Sequence, residues 1–250
     1  MRFHINIGNT HTQIAVLRDG EPQLLAQLDT PDLANGHRTA PLFSLAAAED
    51  APDDWDAVVS SVVPAAARRL ADDFGPRIRL LTARHFPQLD FSLVNTSTLG
   101  IDRICNAAAA LELAGDGPLA VLDCGTCLSA VAIDRQRHFR SGAIAPGRLL
   151  LRQALHDHTA QLPLVPIDHD QQDIQPLAAC TRDVIAAGTD IGAVGALERI
   201  ATLIRQQLDA PEAPVFATGG DAPFFLRHLP HLLTPAPPRL TLRGTAVAKA

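Results

Sequence analysis

Two stretches of this chain, Phe3–Leu17 (FHINIGNTHTQIAVL) and Leu119–Ile133 (LAVLDCGTCLSAVAI), are written to the same plan. In each, an apolar run gives way to a polar residue, Gly and Thr follow, and an alternating run comes after. That pattern predicts a β-hairpin with a tight polar turn. Repeated about 115 residues apart, it predicts a duplicated α/β domain. The division expected is an N-terminal domain over 1–115 and a C-terminal domain over 116–250. A chain of 250 residues has room for both.

The segments between the hairpins alternate in type. Ala57–Val63 (AVVSSVV) reads as a buried strand, Pro64–Phe74 as a helix, and Ile78–Leu81 as a short strand. Ile101–Ala114, rich in Ala and Leu, predicts a helix. Cys180–Leu208 reads as one long helix or two, starting near Thr181. Its Gly188, Gly192 and Gly195 each cost about 1 kcal/mol against Ala inside a helix, so another backbone is expected close by. Val215–Ala217 reads as a strand that ends at Thr218-Gly219-Gly220 and leads into a helix. The Pro-rich stretch Thr234–Arg239 reads as a surface loop. Strands alternating with helices make the fold class α/β.

Composition excludes several classes of function. Apolar residues make up 47% and charged residues 19%, enough for a large core. The net charge is −6 with no long basic run, so no nucleic-acid partner is expected. No apolar stretch is long enough to span a membrane. Met1–Thr10 reads directly as a strand rather than a signal peptide, and the cytoplasm is the expected location. The four cysteines are Cys105, Cys124, Cys127 and Cys180, too few for a disulfide scaffold. Cys124 and Cys127 form a C-x-x-C, but no second pair completes a zinc site. They are expected to be buried, inert thiols.

Four short motifs carry chemistry. Gly8-Asn9-Thr10 at a hairpin tip exposes N–H groups and hydroxyls that can cradle phosphate oxygens; an ordinary turn needs the same residues. Asp123-Cys124-Gly125-Thr126 is built alike, and a triphosphate held by both loops would account for the pair. Gly219 and Gly220, at a strand-to-helix junction, allow a nucleotide to lie against the backbone. Gly100-Ile101-Asp102-Arg103 opens the Ala-rich helix. Asp102 is a candidate general base and Arg103 a candidate carboxylate clamp, although a helix cap and a surface ion pair would look the same.

The order I-x-I-G-N-T, G-I-D-R, D-x-G-T, S-G-A-I-A-P-G (Ser141–Gly147), Cys180-Thr181 and A-T-G-G (Ala217–Gly220) resembles the type III pantothenate kinases, including the Bvg accessory factor group. The resemblance spans nearly the whole chain. It implies two ribonuclease-H-like domains with a nucleotide cleft between them, in a homodimer. It implies transfer of the γ-phosphate of ATP to pantothenate, giving 4′-phosphopantothenate, the first step towards coenzyme A. Mg2+ and a monovalent cation, K+ or NH4+, are implied as cofactors. The stretch Asn6, Ile7, Gly8, Asn9, Thr10, His11, Thr12 and Gln13 matches the first ATP-phosphate loop, and Thr126 matches a second ATP contact. Gly219 and Gly220 fall at the nucleotide end. Asp102 matches the proton acceptor, and Gly100, Ile101 and Arg103 complete the substrate loop. Asp123 matches the monovalent-cation ligand. Thr181 matches a substrate-binding Thr offered across the dimer.

The chain departs from the family pattern at four places. Asn6 stands where the family has the Asp that helps to hold hydrated magnesium. Leu93 stands where a substrate-contacting Tyr is common, and the chain has no Tyr at all. Ser129-Ala130-Val131 replaces Thr-x-Asp after the D-x-G-T loop. Cys180 replaces the Asn before Thr181. Two competing readings follow. One is a non-catalytic nucleotide- or metabolite-binding regulator, favoured by Asn6. The other is a kinase of a different small hydroxy acid, favoured by Leu93.

Overall fold

The computed structural model describes residues 1–35, 55–168 and 173–250. They form two compact units, one made of Met1–Leu113 with Arg239–Ala250 and the other of Ala114–Pro238. The C-terminal segment thus returns to the first unit, whereas the division expected from the sequence left it in the second.

In the first unit, β1 (Arg2–Ile7), β2 (His11–Arg18) and β3 (Glu21–Asp29) form an antiparallel meander. The short helix α1 (Thr30–Ala34) follows. Strands β4 (Asp56–Ser61) and β5 (Ile78–Leu80) then add in parallel, giving the order β3-β2-β1-β4-β5. Side chains on a strand alternate between faces. Phe3, Ile5 and Ile7 of β1 and Ala57 and Val59 of β4 therefore share one core, with Trp55, Leu70 and Phe74. Leu70 and Phe74 come from α2 (Pro64–Phe74), which Pro64 opens at a position where no N–H is needed. The Trp55 ring meets Phe3 and Phe74 edge-on, with centroids 5.5 and 5.6 Å away.

His4 and Asn6 project from the opposite face of β1. Helix α3 (Ile101–Ala114) is buried along most of its length and meets α7 (Leu240–Ala246) closely at Gly244. A Cβ on Gly244 would stand 2.1 Å from Cys105 O, so only glycine lets the two helices meet. Thr241 Oγ1 donates to Asn106 Oδ1 at 2.8 Å, and His4 Nδ1 lies 2.9 Å from Thr245 Oγ1.

The second unit repeats the plan. Strands β6 (Leu119–Cys124), β7 (Cys127–Ile133) and β8 (Phe139–Pro146) make the meander. Helices α4 (Arg148–Asp157) and α5 (Thr181–Gln207) follow, then β9 (Val215–Thr218), α6 (Ala222–His228) and β10 (Thr234–Pro235). The sheet order β10-β9-β6-β7-β8 is the first sheet's order read from the other end. Its core joins Ala120, Leu122 and Cys124 to Ala193, Leu197 and Ala201 of α5 and to Phe224 and Phe225 of α6.

Three expectations need correction. Thr234–Pro235 is not simply loop but an edge strand parallel to Phe216–Ala217, a place where proline's missing N–H is tolerated. Cys127 is exposed and only its partner Cys124 is buried, because successive ends of a hairpin turn face different ways. The region Cys180–Leu208 is one unbroken helix, and nothing among the described residues comes within 4 Å of a Cβ placed on Gly188, Gly192 or Gly195. Those glycines with Val184 and Ile191 form one exposed stripe at helical spacing. No helix among the described residues is long and apolar enough to cross a membrane.

Candidate active site

In the first unit, the carboxyl ends of β1 and β4 lie side by side, with Asn6 opposite Ser60 and Ile7 opposite Ser61. Ligands of open α/β sheets gather beyond such ends. The turn Gly8–Thr10 closes there through the Gly8 N–H donating to His11 O at 3.0 Å. The Val62 N–H donates to Ile7 O at 3.1 Å and carries β4 past that turn. Gly100 lies against Val62, a Cβ on it standing 3.6 Å from Val62 Cγ1. The hairpin tip and the Gly100–Arg103 segment therefore flank the same strand ends.

The stretch Asn6–Gln13 is not uniformly available to a ligand. Ile7 is fully buried, and Thr12 is buried with its hydroxyl 3.0 Å from Thr30 Oγ1. Gln13 Nε2 donates to Gln27 Oε1 at 3.0 Å, and His11 Nδ1 is 3.4 Å from Asp29 Oδ1. Asn9 and Thr10 are exposed at the tip. Asn6 Oδ1 is different: it is buried with no hydrogen-bond partner among the described residues. An unmade bond of this kind costs about 1–3 kcal/mol. The lone acceptor fits a donor such as a water on a hydrated cation, so Asn6 can serve Mg2+ through a water but brings it no charge.

Asp102 occupies the first turn of α3, where its Oδ1 accepts the Arg103 N–H at 2.8 Å. A Cβ on Gly100 would stand 2.6 Å from that same oxygen, so the bare glycine leaves room for the carboxylate in this rotamer. Burial pushes the Asp102 carboxyl above the usual carboxylate range, against the opposing pull of the Arg103 N–H and guanidinium. Ile101 turns into the core. Leu93 is 56% exposed on the turn before the short 3₁₀ helix Thr96–Thr98.

In the second unit, β6 and β9 run parallel and bring Asp123 opposite Thr218. The D-C-G-T and T-G-G segments therefore leave the sheet at the same edge. Gly219 has φ +95, and a Cβ on it would lie 2.5 Å from Cys124 O and 2.6 Å from Asp123 Oδ1. Both facts demand glycine. Gly147 presses on the same loop from the other side, its N–H donating to Thr126 O at 3.0 Å. A Cβ on Gly147 would meet the Gly125 carbonyl oxygen. Asp123 Oδ1 thus lies against the Gly219 and Gly125 backbone, in a loop whose Cys124 and Thr126 carbonyls accept the Asp221 and Gly147 N–H groups. Thr126 is exposed on the turn. Thr181 is exposed at the start of α5, just after Cys180, whose Sγ donates to Asp183 Oδ2 at 3.0 Å.

The chain matches the profile of the family described as type III pantothenate kinase over residues 2–203. It belongs to the type III pantothenate kinase family. The type III pantothenate kinase of Rhodospirillum rubrum is 33% identical, with 99% of this chain and 97% of that protein covered. That of Chlorobaculum parvum is 31% identical over 89% of this chain and 84% of its own length. Among solved structures, a ROK family glucokinase from Streptomyces griseus superposes with TM-score 0.55 at 10% identity, covering 99% of both chains. A glucokinase from Balamuthia mandrillaris gives TM-score 0.60 at 11% identity, over 100% of this chain and 94% of that one. Likeness at that identity concerns the fold alone. It agrees with two ribonuclease-H-like domains, each built on one five-stranded sheet.

For a member of this family, sequence reading overlooked one cluster. Arg148 and Arg152 of α4 are buried with Asp190 of α5, and Asp221 closes the group. The available signal was two arginines four apart in an otherwise apolar helix start, RLLLR.

Proposed function

We propose that this chain transfers the γ-phosphate of ATP to the terminal hydroxyl of pantothenate, opening the route to coenzyme A. The observation that carries the proposal is the partly buried Asp102 carboxylate, held with raised proton affinity beside the carboxyl ends of β1 and β4. A base with affinity shifted towards neutrality suits removal of a hydroxyl proton during transfer. As that proton passes to Asp102, the hydroxyl oxygen bonds to the γ-phosphorus and the bond to the β-phosphate oxygen breaks, leaving ADP. Arg103 holds the substrate carboxylate, Thr181 and Leu93 border the substrate, and Gly100 and Ile101 set the loop that carries Asp102.

Phosphoryl transfer is mostly positioning and neutralisation of charge. In this reading the N–H groups of Gly8–Thr10 and the exposed Thr126 take phosphate oxygens. Gly219 and Gly220 admit the nucleoside. Mg2+ neutralises phosphate charge, and Asn6 accepts from its waters. Asp123 binds the monovalent cation, K+ or NH4+. The exposed stripe Val184, Gly188, Ile191, Gly192 and Gly195 is the homodimer face, and the reaction belongs to the cytoplasm.

The test is a coupled assay of ADP release by purified protein, with Mg2+ and K+, with and without pantothenate. Pantothenate-dependent release that falls when Na+ replaces K+ is expected. No release at any Mg2+ concentration, with ATP still bound, would transfer the chain to the second reading, a non-catalytic nucleotide-binding regulator. The uncharged Asn6 is the observation that favours that reading. Release with another hydroxy acid but not with pantothenate would point to Leu93 as the residue that changed the substrate.

A further inference from the structure

Four charged side chains, Arg148, Arg152, Asp190 and Asp221, are packed together in the second unit. Arg148, Arg152 and Asp190 are each no more than 1% exposed in their side chains, and Asp221 is 11% exposed. Arg148 grips Asp221 with both arms of its fork, Nε to Oδ2 at 2.7 Å and Nη2 to Oδ1 at 2.5 Å. Its third nitrogen, Nη1, donates to Asp190 Oδ2 at 3.3 Å. Its flat face lies 3.5 Å above the Phe224 ring centre. Arg152 holds the other oxygen of Asp190 at 2.9 Å, Thr189 Oγ1 at 3.1 Å, and the Pro166 carbonyl. Burial opposes the charge of Arg148, but the carboxylates of Asp221 and Asp190 outweigh it and hold the guanidinium firmly protonated.

Buried ion pairs contribute little net stability compared with apolar side chains of the same volume. Their advantage is direction, because a bidentate fork fixes both distance and angle. The elements joined here are informative. Arg148 follows Gly147, whose N–H holds Thr126 O at 3.0 Å. Asp221 follows Gly220, and its N–H holds Cys124 O at 2.9 Å. The D-C-G-T loop is therefore flanked by two segments, and the Arg148–Asp221 pair ties those segments together. Asp190 fastens the assembly to the long helix α5.

We propose that Arg148 is a positioning residue for nucleotide binding, setting the spacing between the D-C-G-T loop and the T-G-G turn through Asp221. It acts through these loops and touches no reacting atom. The proposal rests on the reading that both loops hold ATP. Lysine at 148 keeps the charge but loses the fork, and asparagine at 221 keeps the shape but loses the charge.

The test uses the full chain and two variants, Arg148→Lys and Asp221→Asn, with their double variant. ATP affinity is measured by titration calorimetry, alongside steady-state kinetics and thermal melting. In each single variant the Kd and KM for ATP should rise about tenfold, the loss expected for one charge-assisted bond. The KM for pantothenate should stay level and kcat change less than about threefold. The double variant should lose little more than either single one, since both break the same link. A purely structural role would lower the folded fraction, and with it the apparent kcat, while the surviving molecules keep the wild-type KM for ATP. That result overturns the proposal, as does unaltered ATP affinity in folded variants. If Arg148→Lys fails to fold, Asp221→Asn decides by the same measurements. Wild-type protein that binds no ATP would overturn the nucleotide reading and this proposal together. Wild type that binds ATP with variants that bind it equally well would overturn the proposal alone.

Discussion

Asp102 is pulled two ways. Burial favours its neutral form, while the Arg103 N–H and guanidinium favour the charged one, and burial prevails. A base must be ionised to work, so the rate should fall on the acid side at a pH above the usual carboxylate range. Asp102→Asn should lower kcat by roughly 10²-fold or more and remove that acid limb, with ATP binding nearly intact. The pH profile of kcat and an ATP titration of the variant check both parts. Asn6 poses the complementary case of a missing charge. Its Oδ1 lacks a partner among the described residues, and a carboxylate there would add charge to whatever bond a metal-bound water makes. A charge-assisted bond is worth about 1.5–3 kcal/mol, roughly ten- to a hundredfold. Asn6→Asp should then raise kcat/KM for ATP and lower the Mg2+ concentration needed for half-maximal rate. Equal Mg2+ titration curves for the two proteins would refute it.

At the scale of elements, α7 and β1 meet at His4. Thr245 Oγ1 donates to Leu242 O at 2.7 Å, so its free lone pair accepts from His4 Nδ1–H. Burial, with the Arg2 charge, lowers the His4 pKa to about 4 from an ordinary 6.5, against a weaker opposing pull from Asp56. The folded state therefore resists protonation that the unfolded chain accepts. The stability that goes with the neutral ring is complete above about pH 6.5 and is lost as pH falls towards 4. A shift of that size corresponds to roughly 3 kcal/mol. Urea midpoints of the wild type should drop between pH 7 and pH 4.5, and His4→Gln should flatten the drop. Much of this architecture was legible beforehand. Pro64–Phe74 and Ile101–Ala114 are helices at the expected bounds, and both polar turns join the strands expected of them. Periodicity and turn chemistry are local, and they were read correctly where local signals decide. The Arg148 cluster was not legible because its partners lie 42 and 73 residues away in sequence. The return of α7 was hidden for the same reason. At Gly188, Gly192 and Gly195 the sequence signalled a small-residue face but not that it would stand open among the described residues.

For the molecule as a whole, that open stripe on α5 predicts association. Sedimentation velocity at micromolar concentration should show a dimer, and Gly192→Glu, which places a charge in the stripe, should shift it towards monomer. A wild-type monomer would contradict the assignment. The chain's route between its two units has another consequence. It leaves the first unit after Leu113 and re-enters it at Arg239. Gly244 against Cys105 and Thr245 against His4 are contacts that the earlier-made part of the first unit must await. On the ribosome, where domains ordinarily complete in the order of synthesis, the second unit has all its strands and helices once Pro238 has emerged. The first unit, begun earlier, still lacks its last helix at that moment. A released chain that ends at Pro238 should therefore carry a protease-resistant second unit and a protease-sensitive first one.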